Sequence, residues 1–327
     1  MRPASLGILD LPVSIDRSFF VIVQDPLHGV LSLLDARGHV SAGLTAGGRW
    51  AVAFAAPDGV KFNVVREGRC WLRVGDVTVR LGAGDCYLLT RPVPYVLASD
   101  LAAPAVPAGV VFADASDGMA RAGTGADVVL VGGRFSFGDR AGTVLLDALP
   151  PVIHVPGGEA DALRWALDEI GGELRSPALG SRLVAEHLAV VLFVRILRWY
   201  LGRPGAAVTG WLAGLADPVV GAALRAVHAA PAAPWTVASL AAAASVSRST
   251  LAARFTAVVG RAPLEYLTGW RMELASSRLR RGDEPVAAIA RSVGYGSETA
   301  FSTAFKRVVG ASPRDYRRSV TTRATRR

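Results

Sequence analysis

The sequence has 327 residues, of which 51% are hydrophobic and 19% charged, so it is long enough for about two domains and too apolar for a largely disordered chain. Its net charge of +9 is unevenly distributed: residues 1–210 hold 19 Lys and Arg against 20 Asp and Glu, whereas residues 211–327 hold 17 against 7. This division predicts a near-neutral module followed by a basic module that binds a polyanion.

The first predicted elements are a short helix and a series of strands. Residues 26–36 have helical spacing of apolar side chains behind Asp25 and Pro26. From about residue 38 to 98, short alternating or β-branched runs are separated by Gly and Asp, as in an antiparallel sandwich or barrel. Another strand is predicted in "ADVVLVGGRFSF", after a Pro/Ala-rich loop at 102–109. The N-terminal part is therefore expected to be an antiparallel β-barrel with helices.

Two longer helices follow the strands. Residues 159–170 and 178–201 carry apolar residues at helical spacing, and "LGRPGAAVTG" after them is the best linker candidate. Charged side chains interrupt the long apolar helix candidate at 183–201, and charged residues and Pro12 interrupt the N-terminus, so neither a membrane span nor a signal peptide is predicted. We expect a cytoplasmic protein.

The strongest pattern is an internal repeat in the basic part. Seven positions between Phe255 and Tyr266 match those 50 residues later, with Glu265 replaced by Asp, and three positions upstream match those 49 residues later, with Leu240 replaced by Ile. One residue is therefore inserted in the second copy, most naturally in the turn that reads "SVS" in one copy and "GYGS" in the other. Each copy reads as helix, tight turn and helix, with Gly294 suited to a left-handed turn position.

This pattern predicts two helix-turn-helix units, whose second helices enter the major groove of DNA. In the second unit Phe301 and Phe305 lie on the buried face, and short or polar residues occupy the opposite face. Arg248 is suited to guanine edges or phosphate and Glu298 to cytosine, whereas Arg254, Arg307 and the basic tail at 319–327 are suited to phosphate. The predicted DNA-binding residues are Ser247, Arg248, Ser249, Ala252, Arg254, Thr256, Ser297, Glu298, Thr299, Ser302, Thr303, Lys306 and Arg307.

A helix over residues 264–281 is predicted between the two units. Such a rigid connector would fix the two reading helices, and because successive major grooves lie about 34 Å apart, one monomer could read two adjacent grooves.

Residues 217–318 resemble the AraC/XylS family of bacterial transcription regulators, in phrases such as "WTVASLAAAASVSRSTLAARF" and "IARSVGYGSETAFSTAFKRVVGASPRDYRR". Residues 20–155 are similar, more loosely, to the cupin-type sensor domain of some of these regulators. The resemblance implies promoter-proximal binding to double-stranded DNA, with RNA polymerase as a partner, a small-molecule effector in residues 1–155, and a dimer surface in the helical region 156–210. One departure is that Ala252 and Ala253 stand where family members often have longer polar side chains.

An enzymatic barrel is not indicated. Metal-dependent cupins hold their ion with clustered His and Glu, but residues 48–98 contain no histidine, and Tyr95 stands where a ligand His would be expected. Cys70 and Cys86 lack zinc-site or disulfide spacing, although a redox-sensing pair stays open. No metal, cofactor or catalytic residue is predicted. The candidate effector-lining residues are Phe62, Cys70, Trp71 and Tyr87, with the inward face of the strands undecided.

The sequence thus predicts an α+β protein of two domains, with an N-terminal cupin-like antiparallel β-barrel and an all-α double helix-turn-helix domain. Its predicted function is effector-controlled, sequence-specific regulation of transcription. Two alternatives are a non-specific architectural DNA-binding protein and a metal-dependent cupin enzyme fused to a DNA-binding domain. Glu298 disfavours the architectural alternative, because a carboxylate near the groove opposes indiscriminate phosphate binding.

Overall fold

A computed structural model describes residues 26–33, 36–116, 118–137, 140–159, 161–175 and 178–325. The N-terminal half combines eleven strands with five helices in these ranges. The strands are β1 (Ala36–Gly47), β2 (Ala51–Phe54), β3 (Val60–Glu67), β4 (Arg69–Val74), β5 (Val77–Gly82), β6 (Cys86–Leu89), β7 (Tyr95–Ala98), β8 (Val106–Pro107), β9 (Met119–Gly123), β10 (Val128–Phe137) and β11 (Val152–Val155). The helices are α1 (Pro26–Leu33), α2 (Ala108–Val111), α3 (Arg140–Asp147), α4 (Asp161–Arg175) and α5 (Ser181–Leu201).

The strands form two sheets. The six-stranded sheet has the order β11-β6-β3-β10-β1-β9, and the five-stranded sheet has the order β5-β4-β7-β2-β8. Most pairs are antiparallel, while β9 and β8 join β1 and β2 in parallel. In the described residues each sheet ends on edge strands, so the predicted closed barrel is wrong and the open sandwich is right. Alternating sequence predicts strands but does not specify which strands pair at the edges.

The six-stranded sheet is buried on both faces. Leu44, Val65 and Leu130 belong to the core between the two sheets. On the opposite face Phe62 stacks on Phe135, with 4.8 Å between ring centroids, under the buried residues of α4 and α5. The helical region after residue 155 therefore packs on the sheet and shares its core.

The C-terminal part is helical. Its helices are α6 (Gly210–Ala216), α7 (Pro218–Ala229), α8 (Val237–Ala243), α9 (Arg248–Val259), α10 (Pro263–Arg281), α11 (Val286–Ser292), α12 (Glu298–Val309) and α13 (Pro313–Thr325). The residues between α5 and α6 coincide with the predicted linker. At the end of this linker, Thr209 N donates a hydrogen bond to Ala148 O of the N-terminal domain at 3.0 Å. In the described ranges, none of the helices combines the length and apolarity that a bilayer crossing requires.

The N-terminal domain contacts the first helices of the C-terminal part directly. Helix α1 packs against α3, α7 and α10. Leu27 and Val30 of α1 lie in one continuous cluster of buried residues with Trp211 of α6 and Phe255 of α9. The sheet-covering core and the first helix-turn-helix core are thus one apolar cluster.

Candidate nucleic-acid interface

The first unit comprises α8, a four-residue turn and α9. Helix α8 begins with a capping box in which the Thr236 and Ser239 side chains each accept a hydrogen bond from the other residue's backbone N–H. Ser245 takes a positive φ of 56°, and Val246 N donates to Ala241 O at 3.0 Å, which closes the turn. Ser247 then caps α9 by accepting from Thr250 N at 3.1 Å.

The second unit repeats this geometry with one more turn residue. Gly294 has a φ of 87°, and Tyr295 N donates to Ala290 O at 2.9 Å, the bond that matches the one in the first unit. Ser297 caps α12 by accepting from Ala300 N. The predicted insertion therefore lies in the turn, and the two second helices, α9 and α12, have twelve residues each.

The recurring tail of each copy packs its second helix against the next helix. Both α9 and α12 end at a left-handed glycine, Gly260 or Gly310. After each glycine the next helix begins at a buried proline and places a tyrosine edge-on against the phenylalanine of the preceding helix. The ring centroids of Phe255 and Tyr266 are 5.8 Å apart, and those of Phe305 and its counterpart Tyr316 are 5.6 Å apart.

The outward faces of α9 and α12 carry most of the predicted DNA-binding residues. Leu251 and Phe255 of α9, like Phe301 and Phe305 of α12, are fully buried, so the opposite faces point to solvent. The exposed predicted residues are Ser247, Arg248, Ser249, Arg254, Thr256, Ser297, Thr299, Thr303, Lys306 and Arg307. Ala252, Glu298 and Ser302 are half-buried. Each helix therefore presents a surface that is mostly short, polar or basic.

Arg254 differs from the other predicted phosphate-binding residues. Its Nε donates to Asp217 Oδ2 at 2.7 Å, while Oδ1 of the same carboxylate caps α7 by accepting from Val219 N and Val220 N, both at 2.9 Å. Partial burial raises the pKa of Asp217, but the Val220 and Val219 amides and Arg254 outweigh it and hold that pKa below its ordinary value. Arg254 is thus engaged within the protein.

The remaining charged residues are arranged differently. Arg248 and Arg307 are exposed, and neither forms an ion pair with any other residue that the structure describes. Glu298, at the first turn of α12, lies 3.5 Å from Arg314 of α13. Both exposed arginines are available to an anionic partner.

The predicted connector is α10, and it contributes to the cores of both units. Tyr266 and Trp270 belong to the cluster that contains the first unit, whereas Met272 and Leu279 belong to the cluster of the second. One continuous helix therefore fixes the separation of α9 and α12.

Arg271 is a further link that the sequence analysis missed. Its guanidinium donates to Pro231 O and Ala233 O, both at 2.7 Å, in the loop that precedes α8. The same group lies 5.9 Å from the ring centroid of Tyr295 in the turn of the second unit. The sequence contains no local signal for this contact, because the carbonyl partners lie about 40 residues away.

Helices α6 and α7 pack against α9, and neither helix was predicted from the sequence. Asp217 followed by Pro218 is an N-cap residue and a first-turn proline, the signal that could have identified the start of α7.

The N-terminal domain contains a cavity of about 340 Å³ between the two sheets, beside α2. None of the four candidate effector-lining residues lines it. Phe62 faces the helices, Cys70 and Tyr87 are packed in the core between the sheets, and Trp71 faces outward beneath Arg80. The alternation that separates Cys70 from Trp71 is therefore confirmed, with Cys70 on the inward face.

The two thiols are buried, and burial, followed by the nearby charge of Asp85, raises the pKa of Cys70 and of Cys86 to about 12. A thiol with such a pKa is a poor nucleophile, which disfavours redox sensing. Among the residues that the structure describes, no three His, Cys, Asp or Glu side chains are grouped as a metal ion would require. Tyr95, which stands where a ligand histidine would be expected in a metal-dependent cupin, stacks on Phe54 with 4.5 Å between ring centroids.

Comparisons with known proteins agree with this architecture. A cupin family profile matches residues 25–202, and a helix-turn-helix domain profile matches residues 240–319. A Streptomyces antibioticus protein, whose name describes it as AraC-like, is 59% identical over 90% of this chain and 99% of its own. The transcriptional regulator AlkR of Acinetobacter baylyi is 31% identical over 83% of this chain and 91% of its own.

A solved structure also matches. The DNA-binding domain of AdpA, in complex with a target DNA, is 32% identical over 33% of this chain and 96% of that chain, with a TM-score of 0.31. The family assignment depends on the profiles and on the nearly full-length relatives. The chain belongs to the AraC-like family of DNA-binding transcription regulators that carry a cupin domain before the helix-turn-helix domain.

Proposed function

We propose that the protein binds a specific duplex DNA site by inserting α9 and α12 into two successive major grooves. The observation that carries this proposal is α10, which shares one core with each unit and so holds the two outward polar faces in a fixed relation. Adjacent major grooves recur about every 34 Å on one side of the duplex, so one monomer would contact about two turns.

The roles of individual residues follow from their positions. Arg248 and Ser249 lie at the N-terminal end of α9, and Thr299, Ser302 and Thr303 lie along the exposed side of α12. Residues at the beginning of a recognition helix reach base edges, whereas long basic side chains near its end contact phosphates. Lys306 and Arg307 stand in the last turn of α12 and are assigned to phosphate.

The remaining steps of regulation are assigned to the N-terminal half. The cavity between the sheets is proposed to take a small effector, and the exposed apolar side chains of α4 and α5 are proposed as a surface for a second copy of the chain. These side chains are Trp165, Leu183, Val184 and Val191. DNA-bound protein would then contact RNA polymerase in the bacterial cytoplasm.

Selection of duplexes from a random-sequence library by the full chain tests the proposal. We expect enrichment of one site that spans two grooves, with affinity that falls steeply with salt. In binding assays on the enriched duplex, Arg248→Ala and Thr299→Ala should each cost about 1–3 kcal/mol and relax base preference at one position. Arg73→Ala, an exposed arginine of β4 with the same charge change, is the control.

Failure to enrich any sequence would instead support a non-specific architectural protein. An Arg248→Ala variant that loses the same affinity for every duplex would identify Arg248 as a phosphate contact and overturn its assignment to base reading.

A further inference from the structure

The cavity between the sheets has one charged group on its wall and is otherwise largely apolar. Leu44, Phe54, Leu97, Phe112 and Leu130 supply the apolar walls. The Phe54 and Tyr95 rings stack with an interplanar angle of 1°, and Phe112 meets Phe54 edge-on with centroids 6.0 Å apart. Such flat walls suit an aromatic ring or a short hydrocarbon chain.

The polar groups of the cavity come from β1, β3 and β7. On β3, Lys61 and Asn63 face the cavity, while Phe62 between them faces the helices. The Asn63 amide donates to the Tyr87 hydroxyl. Gly132 on the neighbouring strand leaves room for this amide, because a Cβ at that position would collide with the Asn63 side chain. The Asn63 amide is therefore already engaged within the protein, and the Tyr95 ring is stacked on Phe54.

Lys61 is the group left for a ligand. Its Nζ lies 3.4 Å from Ser41 Oγ, and in the residues that the structure describes it forms no ion pair with a carboxylate. Its cross-strand neighbour on β10 is Arg134, another cation, which faces the exposed Asp58 at 4.0 Å. Burial, followed by the charge of Arg134, lowers the pKa of Lys61 to about 8. An anion in the cavity would relieve both effects.

We propose that this cavity binds a small, mainly apolar molecule with one anionic group, of the carboxylate class, and that Lys61 holds the anionic group. The inference rests on the proposed effector function of the N-terminal domain and names the chemistry of the effector. The apolar part lies against the Phe54, Tyr95 and Phe112 rings, and the carboxylate accepts a hydrogen bond from the Lys61 ammonium in place of Ser41.

A matched pair of probes tests the assignment. 4-Phenylbutyrate and 4-phenylbutanol share the same ring and chain and differ in the carboxylate, and titration calorimetry with the full chain gives both affinities. We expect the wild-type protein to bind the carboxylate about tenfold more tightly than the alcohol, a typical gain for one charge-assisted hydrogen bond. Equal affinities, or no binding of either probe, would overturn the proposal.

Variants then assign the preference to Lys61. Lys61→Met and Lys61→Gln should lower the carboxylate-to-alcohol ratio to about one, whereas Lys61→Arg should keep it above one. Ala42→Trp places a bulky side chain at the exposed rim of the cavity and should weaken both probes. A preference that persists in both neutral variants, or probe binding that is unchanged in Ala42→Trp, would contradict the assigned site.

Binding to the selected duplex is measured on the same preparations. Lys61 lies in β3, outside the helix-turn-helix units, so the variants should keep their DNA affinity. A wild-type protein that binds its DNA site but does not prefer the carboxylate probe would overturn only the cavity assignment. A wild-type protein without a preferred DNA site would overturn the proposed function, whatever the probes do.

Discussion

The two helix-turn-helix units share a repeated sequence but differ in what surrounds them. The first unit belongs to an apolar cluster that continues through Trp211 and α1 into the N-terminal domain. The second unit has a separate core, formed by α10 to α13. The two copies of the motif are therefore attached to the rest of the protein differently. The first unit packs against the domain that holds the cavity, whereas the second is connected through α10 and the Arg271 contacts.

The largest expected effect comes from opening the core of each unit. Phe305→Ala should cost about 3–5 kcal/mol, because a fully buried ring is removed from a small core. We expect hydrogen exchange to show loss of protection in α11, α12 and α13 while the sheets stay protected. The matched change Phe255→Ala should also destabilise α1 and α7, since Phe255 lies in the shared cluster. Uniform loss of protection in Phe305→Ala would contradict separate cores.

The turns provide a second contrast. Gly294 has a φ of 87°, and a Cβ there would lie 2.5 Å from Ala232 O, so Gly294→Ala should lower the free energy of unfolding by about 2–3 kcal/mol. The equivalent residue of the first unit is Ser245, with a φ of 56°. Ser245→Gly should raise stability by up to about 1 kcal/mol, because glycine adopts this conformation without strain. Urea unfolding midpoints measure both changes. Equal small shifts in the two variants would contradict the predicted difference between the two turns.

The comparison also shows what the sequence could and could not predict. The repeat predicted the two helix-turn-helix units, and the connector predicted at residues 264–281 matches α10 to within one residue, because caps, prolines and left-handed glycines are local signals. Which strands pair is not local, so the sequence could not decide between a sandwich and a barrel, and the barrel that was expected is wrong. On β3 the four residues from Phe62 to Val65 are all buried, so alternation could not separate the cavity face from the helix face. The cavity residues were missed for this reason.

A third prediction uses His228 of α7, a helix that packs against α8 and α9 of the first unit. His228 packs 4.3 Å from Trp270 between ring centroids, its Nε2 lies 2.7 Å from the Tyr266 hydroxyl, and burial lowers its pKa from 6.5 to about 4. Between these pH values the unfolded chain binds a proton that the folded chain does not, so stability falls as the pH falls.

Unfolding at pH 5 should therefore require about 2 kcal/mol less than at pH 7.5. His228→Gln should remove this part of the pH dependence, as measured by thermal melts at both pH values. Exchange protection should fall with pH in α7 to α9 before it falls in α11 to α13, because residues 286–325 contain no histidine. An unchanged pH dependence in His228→Gln would show that other groups cause it.

The smallest expected effect distinguishes the two arginines predicted to bind phosphate. Arg307 is exposed near the end of α12, so Arg307→Ala should weaken binding to all duplexes a few-fold and reduce the slope of log affinity against log salt by about one. Arg254 directly precedes Phe255 in α9, and its guanidinium is held by Asp217 at 2.7 Å. Arg254→Ala should therefore leave the salt slope unchanged while costing stability of at most about 1 kcal/mol. If both variants reduce the salt slope equally, the Arg254–Asp217 ion pair must open when DNA binds. Both units would then contact the DNA phosphates through an arginine.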